Sequence, residues 1–280
     1  MNIAWPELLI LVGISAAAEG ASLWALLHWR PRALVTRNYR QTEVVSRGGL
    51  TFAAPLVVAA LAAGLLGAKG DAALVTVVAT GLSGLLGWLD DAWGTPGVRG
   101  LKGHFARLIG HREVTTGLVK AVGGAGIGLW AAHMLGAEGW RLIPAGAVVA
   151  LCANTVNALD ARPGRALKLF LGAAVVILAF TGGQPMAGAV GILAALMGAA
   201  IVFAPADLRE RAMLGDTGAN PLGAALGISV VRLTRWPAWV VLAGVLLAFC
   251  LAADRWSLTA AMEHTPGLRW LDRLGRRDIA

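Results

Sequence analysis

Carboxylate and amide side chains occur in three short clusters, each beside an apolar stretch of the chain. The first is the pair Asp90 and Asp91, at the end of an apolar run that begins near Ala72. A charged side chain is costly within hydrocarbon, so this pair belongs at a helix end, where water and cations are available. Adjacent helix residues point about 100° apart. We therefore expect one carboxylate to face a reaction centre and the other to orient it or face a cation; the alternative is an acidic helix end that pairs with loop arginines.

The second cluster contains Asn154, Asn157 and Asp160, which are spaced i, i+3 and i+6. This spacing places them on one stripe of an otherwise apolar helix. Amides in a membrane helix can also hold neighbouring helices together. Because Arg162 and Arg165 follow directly, the stripe favours a site for an anion and a metal ion.

The third cluster is the loop containing Gly215 and Asp216. We expect Asn220 to cap the next helix and Pro221 to be its first residue. A helix start of this kind offers free N–H groups to a phosphate. A Gly-Asp turn also occurs without a functional role.

Basic side chains accompany these clusters. Lys102 and His104 belong to a basic loop that could line a phosphate site or face lipid headgroups, and we interpret His104 as a loop residue rather than a metal ligand. Lys120 lies about one turn inside an apolar span, where a cation is expected to be paired or functional. Together the residue types predict hard-cation chemistry on phosphates. Mg²⁺, with Mn²⁺ as an alternative, prefers oxygen ligands, and the absence of sulfur and imidazole from the clusters argues against zinc.

The composition determines which elements must position these residues. Hydrophobic residues make up 57% of the chain and charged residues 14%, whereas a soluble domain carries about 25% charged residues. The mean hydropathy is +0.68. We therefore predict an all-α, polytopic membrane bundle forming a single domain over residues 1–280, with a basic tail at 254–280. In such a protein the net charge of +8 indicates loops beside anionic lipid, or an anionic substrate, rather than nucleic acid.

The apolar stretches predict nine to ten spans, since a span needs about 20 residues. The eighth predicted span, residues 220–233, is short for a helix that crosses a bilayer. The predicted spans are residues 5–28, 51–68, 72–89, 115–135, 142–159, 166–181, 185–203, 220–233 and 237–253.

Basic residues concentrate on one side of this arrangement. The positive-inside rule, applied to the loops that join the predicted spans, places the N-terminus outside and the tail in the cytoplasm. All three clusters then lie at the cytoplasmic face. The cytoplasmic side holds Arg30, Arg32, Arg37, Arg40, Arg47, Arg99, Lys102, Arg107, Arg112, Arg162, Arg165, Lys168, Arg209, Arg211 and the tail arginines, and the opposite side holds Lys69, Arg141, Arg232 and Arg235.

From about residue 36 to 223, the chain resembles the polyprenyl-phosphate N-acetylhexosamine-1-phosphate transferase family. Each motif alone is weak, but the ordered set is specific. The matching motifs are Arg47-Gly48-Gly49, Gly87-Trp88-Leu89-Asp90-Asp91-Ala92-Trp93-Gly94, Asn154-Thr155-Val156-Asn157-Ala158-Leu159-Asp160 and Leu214-Gly215-Asp216-Thr217-Gly218.

This resemblance implies transfer of a sugar 1-phosphate from a UDP-sugar to a membrane polyprenyl phosphate, with release of UMP, as the first membrane step of a cell-envelope glycan. It implies Asp216 and Asn157 as Mg²⁺ ligands and Asp90 as base or orienter of the lipid phosphate, with Asp91 and Asp160 beside it. By the same resemblance, phosphate partners are Lys102, Lys120 and Arg47. The expected location is the bacterial inner membrane, and a homodimer is compatible with the sequence.

The chain also departs from the family pattern. Asp160 is followed by Ala161-Arg162-Pro163-Gly164, so Pro163 stands where the family has a second aspartate, and the histidine-rich loop of some members is missing. These departures favour the alternative of a non-catalytic relative that binds lipid phosphate or a partner enzyme. A transporter for an anionic solute is the third hypothesis. A transporter would need charged residues along a path to the opposite face. It ranks last, because apart from Glu19 the predicted spans contain few charges far from their ends.

Overall fold

The computed structural model describes residues 5–65, 71–94, 103, 107–110, 112–181 and 188–276. The predicted all-helical class is confirmed. The named helices are α1 (Trp5–Trp29), α2 (Ala53–Leu65), α3 (Asp71–Trp93), α4 (Thr116–Met134), α5 (Leu142–Leu159), α6 (Arg165–Phe180), α7 (Gly188–Leu208), α8 (Asp216–Leu233), α9 (Trp236–Arg255), α10 (Leu258–His264) and α11 (Pro266–Arg273).

Six helical segments in the described part of the chain are long and apolar enough to cross a membrane. The helices α4, α6 and α8 lie at predicted span positions but are shorter or less apolar than these six. The expectation of nine to ten spans, and of a cytoplasmic face, therefore stays a prediction. The six segments are Pro6–Trp29, Gly48–Leu65, Asp71–Trp93, Gly139–Leu159, Gly188–Leu208 and Trp236–Arg255.

Helix α8 lies at the centre of the bundle, packed against α3 and α5. Its residues from Thr217 to Ser229 are all buried. Glycines permit the close approach to α5: a Cβ at Gly227 would lie 2.7 Å from Val149 Cα, and one at Gly223 would overlap the Cys152 carbonyl oxygen. The backbone of the helix that begins at Asp216 is thereby fixed against the helix that carries Asn157.

The first connection contains a hairpin where the sequence predicted only a basic loop. Strands β1 (Val35–Arg37) and β2 (Glu43–Val45) pair antiparallel. Val45 N donates to Arg211 O at 3.2 Å, and Met213 N donates to Val45 O at 2.8 Å. Because these bonds tie the hairpin to the residues just before Leu214, the hairpin sets the path of the chain into Asp216.

The start of α8 also differs from the prediction. The helix begins at Asp216, so Asn220 and Pro221 are buried inside it and are not its cap and first residue. The predicted cap was wrong because the helix begins four residues earlier and its capping group, the Asp91 carboxylate, comes from another helix. The segment is consequently longer than the 220–233 span expected from hydropathy.

Candidate functional site

The three predicted clusters meet at one end of the bundle around the ammonium group of Lys120. Lys120 Nζ lies 2.8 Å from Asp90 Oδ2 at the end of α3, and it also forms an ion pair with Asp216 Oδ2 at the start of α8. About a fifth of each of these three side chains is exposed. One cation therefore bridges two carboxylates in a partly desolvated position, where charge interactions exceed those at an open surface.

Asn157 completes this group from the last turns of α5. With its amide oriented to satisfy both neighbours, its nitrogen donates to Asp216 Oδ1 at 2.7 Å and its oxygen accepts from Lys120 Nζ at 3.3 Å. We call Asp90, Lys120, Asn157 and Asp216 the lysine cluster. Its members come from four helices, so the group exists only when those helices are packed.

Asp91 has a different environment from its neighbour Asp90. Its Oδ2 accepts from Thr217 N at 2.9 Å and from Thr217 Oγ1 at 2.6 Å, and its Oδ1 accepts from Asp216 N at 3.2 Å. Asp91 therefore caps α8 from another helix. The first N–H groups of α8 are bonded to this carboxylate, so in this arrangement they are not the free phosphate donors that the sequence predicted.

Asp160 holds the residue just before the cluster. Its Oδ2 accepts from Gly215 N at 2.9 Å, and Gly215 adopts a φ of +69°, which glycine accommodates without strain. Burial, followed by the negative charges of Asp207 and Asp216, raises the pKa of Asp160 well above its ordinary value of 3.8, against the effect of the Gly215 hydrogen bond. A proton is therefore retained more readily here than on an exposed aspartate.

Two glycines of the motifs allow the backbone to approach the site. A Cβ at Gly87 would overlap the Asp216 carbonyl oxygen, and a Cβ at Gly49 would overlap Gly218 N. Arg47 precedes this contact in a left-handed conformation (φ +57°), and its Nη2 donates to Asp91 O at 2.6 Å. Arg47, predicted as a phosphate partner, thus lies beside the helix end that carries both aspartates.

The remaining residues that the sequence predicted to bind substrate are not members of the lysine cluster. Arg165 is buried and paired with Asp272 of the tail, and the Arg162 guanidinium lies 3.9 Å from the centre of the Tyr39 ring. Asn154 is exposed one turn before Asn157, and in the described part of the chain no side chain is hydrogen-bonded to it. Lys102 and His104 lie outside the described residues.

Three residues that hold the site were missed by the sequence reasoning. Thr217 donates to Asp91, Asp207 accepts from Gly164 N at 2.6 Å, and Asp272 pairs with Arg165. Thr217 stands in the motif around Asp216 but was given no role, and Asp207 had a usable signal as a carboxylate at the end of an apolar run. Burial alone would raise the pKa of Asp272, but the hydrogen bond from Arg165 and the charge of Arg276 outweigh it and lower the pKa below 3.8.

The lysine cluster has donors suited to a hard cation. The two carboxylates, Asp90 and Asp216, and the amide oxygen of Asn157 already surround a positive charge, that of Lys120. In the described ranges, no group of three or more His, Cys, Asp or Glu side chains could hold a metal by itself. Two carboxylates and an amide fit Mg²⁺, which commonly binds one or two protein carboxylates together with substrate phosphates.

No protein-family model and no curated protein matches this chain.

Proposed function

We propose that the chain transfers a sugar 1-phosphate, of the N-acetylhexosamine type, from a UDP-sugar to a membrane polyprenyl phosphate, and releases UMP. The observation that carries this proposal is the bridge from Lys120 to Asp90 and Asp216, with Asn157 bonded to both Lys120 and Asp216. Residues from three of the motifs that resemble the transferase family thus meet in one group. The proposed location is the cytoplasmic face of a bacterial inner membrane.

The chemistry proposed for this site is an in-line displacement. An oxygen of the lipid phosphate forms a bond to the β-phosphorus of the donor, the bond from that phosphorus to the bridging oxygen breaks, and UMP leaves with the bridging oxygen. A phosphate monoester has a second pKa near 6 and is mostly dianionic at pH 7, so the lipid phosphate does not need a strong base. Bringing two anions together and neutralising their charge is the harder task.

The residues of the lysine cluster divide this task between them. Lys120 supplies a fixed positive charge for a phosphate oxygen, and Asp90 orients the ammonium group at 2.8 Å. Asp216, Asn157 and Asp90 would hold Mg²⁺, which when bound offsets the charge that develops on the phosphoryl oxygens. Asp91 and Asp160 position Asp216 through the backbone N–H groups of Asp216, Thr217 and Gly215.

The test is UMP release by purified protein in lipid nanodiscs, given polyprenyl phosphate, Mg²⁺ and a panel of UDP-sugars. Asp90→Asn and Asp216→Asn are each expected to lower the rate by about 100-fold or more, since each removes a charge that positions a phosphate or the metal ion. Asp71→Asn is the matched control, because Asp71 lies in the first turn of the helix whose last turn carries Asp90. Release that requires lipid and Mg²⁺, is lost in both variants and is retained in the control supports the transferase.

A non-catalytic lipid-phosphate binder is the second candidate. It is favoured by Pro163 at the position of the family's second aspartate, and by Arg165, whose guanidinium is paired with Asp272. Binding of radiolabelled polyprenyl phosphate without UMP release from any donor would support this candidate and reject the transferase.

A further inference from the structure

The C-terminal helices α10 and α11 lie against residues 160–168, which form the connection between α5 and α6 and the first turn of α6. The centre of the contact is a paired Arg165 and Asp272: Arg165 Nε donates to Asp272 Oδ1 at 2.6 Å, and Arg165 Nη2 donates to Asp272 Oδ2 at 3.0 Å. Both residues are buried, with 4% and 8% of their surfaces exposed. A two-point guanidinium–carboxylate pair fixes both distance and direction.

Further bonds join the same two segments. Arg165 Nη1 donates to Thr259 Oγ1 at 2.9 Å, and Lys168 Nζ donates to the carbonyl oxygens of Leu271 and Asp272 at 2.9 and 2.8 Å. Within the tail, Arg276 Nη2 donates to Asp272 Oδ1 at 2.5 Å. The carboxylate of Asp272 is thereby shared between two arginines, and the tail is attached at several points along the connection.

The connection is bonded to the tail near Gly164 and, through Asp160, to the residue that precedes Asp216 of the lysine cluster. Arg276 Nε donates to Pro163 O at 2.9 Å, and the next residue, Gly164, has a φ of +78° and donates its N–H to Asp207. Asp160, three residues before Pro163, accepts from Gly215 N, directly before Asp216. A continuous series of bonds thus links the tail to the start of α8.

We propose that Asp272 is a positioning residue: through Arg165 and Arg276 it fixes the turn formed by residues 160–165 and with it the bond between Asp160 and Gly215. The effect on catalysis rests on the proposed function, whereas the effect on the turn does not. Removing one partner of a buried pair leaves an uncompensated charge. The local structure must then move so that water can reach this charge. The turn adjoins Arg165, lies between two helix ends and bends through the left-handed Gly164, so we expect the displacement to reach it.

The test uses hydrogen–deuterium exchange of the full chain in nanodiscs, read at the amides of Gly164 and Gly215. Asp272→Asn keeps the size of the side chain and removes its charge. We expect exchange at both amides to increase about ten-fold or more, because each amide is protected by a bond that the turn holds. The control is Glu263→Gln, which changes an exposed carboxylate of α10 in the same tail; it is expected to leave both amides unchanged.

A second variant separates positioning from loss of folding. Arg165→Lys keeps the buried opposite charges and loses the two-point geometry, and the buried amides of α7 report global unfolding. If Asp272→Asn also increases exchange in α7, that variant has lost global stability. The result for Arg165→Lys then decides whether the pair positions the turn. Increased exchange at Gly164 and Gly215 with unchanged α7 supports the proposal. Exchange at Gly215 that stays at the wild-type value in Arg165→Lys overturns it.

Transfer kinetics then show whether the positioned turn matters to the reaction. Asp272→Asn is expected to lower kcat by about ten-fold and to change KM for the lipid phosphate less than about two-fold, since it displaces Asp216 without removing a contact to the substrate. Asp272→Glu, which restores the charge, is expected to recover part of kcat. If the wild type releases no UMP while the exchange results hold, the transferase proposal fails and the positioning role stands. If kcat is unchanged although exchange at Gly215 has increased, the tail has no role in the reaction.

Discussion

Asp91 caps the helix that begins beside Thr217: its Oδ2 accepts from both the backbone N–H and the hydroxyl of Thr217, at 2.9 and 2.6 Å. The preceding residue, Asp90, pairs with Lys120 instead. Because adjacent residues of a helix point about 100° apart, the two carboxylates at the end of α3 reach different partners. One joins the charged group of the site, and the other fixes the helix that carries Asp216.

Replacing Asp91 is expected to loosen the start of α8. Asp91→Ala removes the cap and should destabilise the protein by about 1–2 kcal/mol. Asp91→Asn keeps one acceptor oxygen and should cost about 0.3–1 kcal/mol through the lost charge at the helix start. Thermal unfolding and hydrogen exchange at the amides of Asp216 and Thr217 measure both effects. Equal exchange in Asp91→Ala and the wild type would contradict the capping role.

Replacing Lys120 is expected to change how the site binds divalent cations. In Lys120→Met two carboxylates face each other without their cation, so Mn²⁺ affinity, followed by electron paramagnetic resonance, should rise by about ten-fold, or ~1.4 kcal/mol. UMP release should fall in the same variant, because the fixed charge on the phosphate is lost. Lys120→Arg keeps the charge and should bind Mn²⁺ nearly as weakly as the wild type. Weaker Mn²⁺ binding by Lys120→Met than by the wild type would show that Asp90 and Asp216 are not the metal ligands.

Adding one methyl group at the close backbone contacts is expected to displace Asp216. Gly87→Ala and Gly49→Ala force a Cβ into backbone atoms of Asp216 and Gly218, which should cost about 1–3 kcal/mol and reduce UMP release. Gly126→Ala is the control, since a Cβ there meets no atom within 4 Å. Alanine at that position should be neutral or stabilising by about 0.5–1 kcal/mol. Similar losses of stability in all three variants would show that overlap at Gly87 and Gly49 is not the cause, because helix propensity alone favours alanine over glycine.

The raised pKa of Asp160 predicts a pH-dependent effect of Asp160→Asn. When the folded-state pKa of a carboxyl group is raised, stability falls as pH rises from the ordinary pKa of 3.8 toward the folded value. Asparagine accepts from Gly215 N without acquiring this charge. We therefore expect Asp160→Asn, measured by thermal unfolding with EDTA present, to raise Tm relative to the wild type more at pH 8 than at pH 5. A larger gain at pH 5 would mean that the folded state favours the charged form.

The amino-acid sequence alone indicated the all-helical class with long apolar helices, and it singled out the four residues that meet in the lysine cluster. Backbone groups in hydrocarbon must be hydrogen-bonded within the chain, so long apolar stretches form helices whatever their neighbours. Charged residues are costly within those stretches, so Asp90 and Asp91 had to lie at a helix end. The spacing of Asn157 and Asp160 placed them on one helical stripe, and in the structure both bond to the segment at Gly215 and Asp216.

Which of these residues become partners depends on how the helices pack. Lys120 meets Asp90 and Asp216, and Arg165 pairs with Asp272 rather than pointing to the lysine cluster. Asp91 caps α8, whose first residue, Asp216, lies four residues before the predicted cap, Asn220. Each of these contacts joins residues that are distant in sequence. Its existence depends on the packing distance and rotation of whole helices, which glycines such as Gly87 and Gly227 permit. Local periodicity determines the face of a helix on which a residue lies, but it contains no information on which other helix packs against that face.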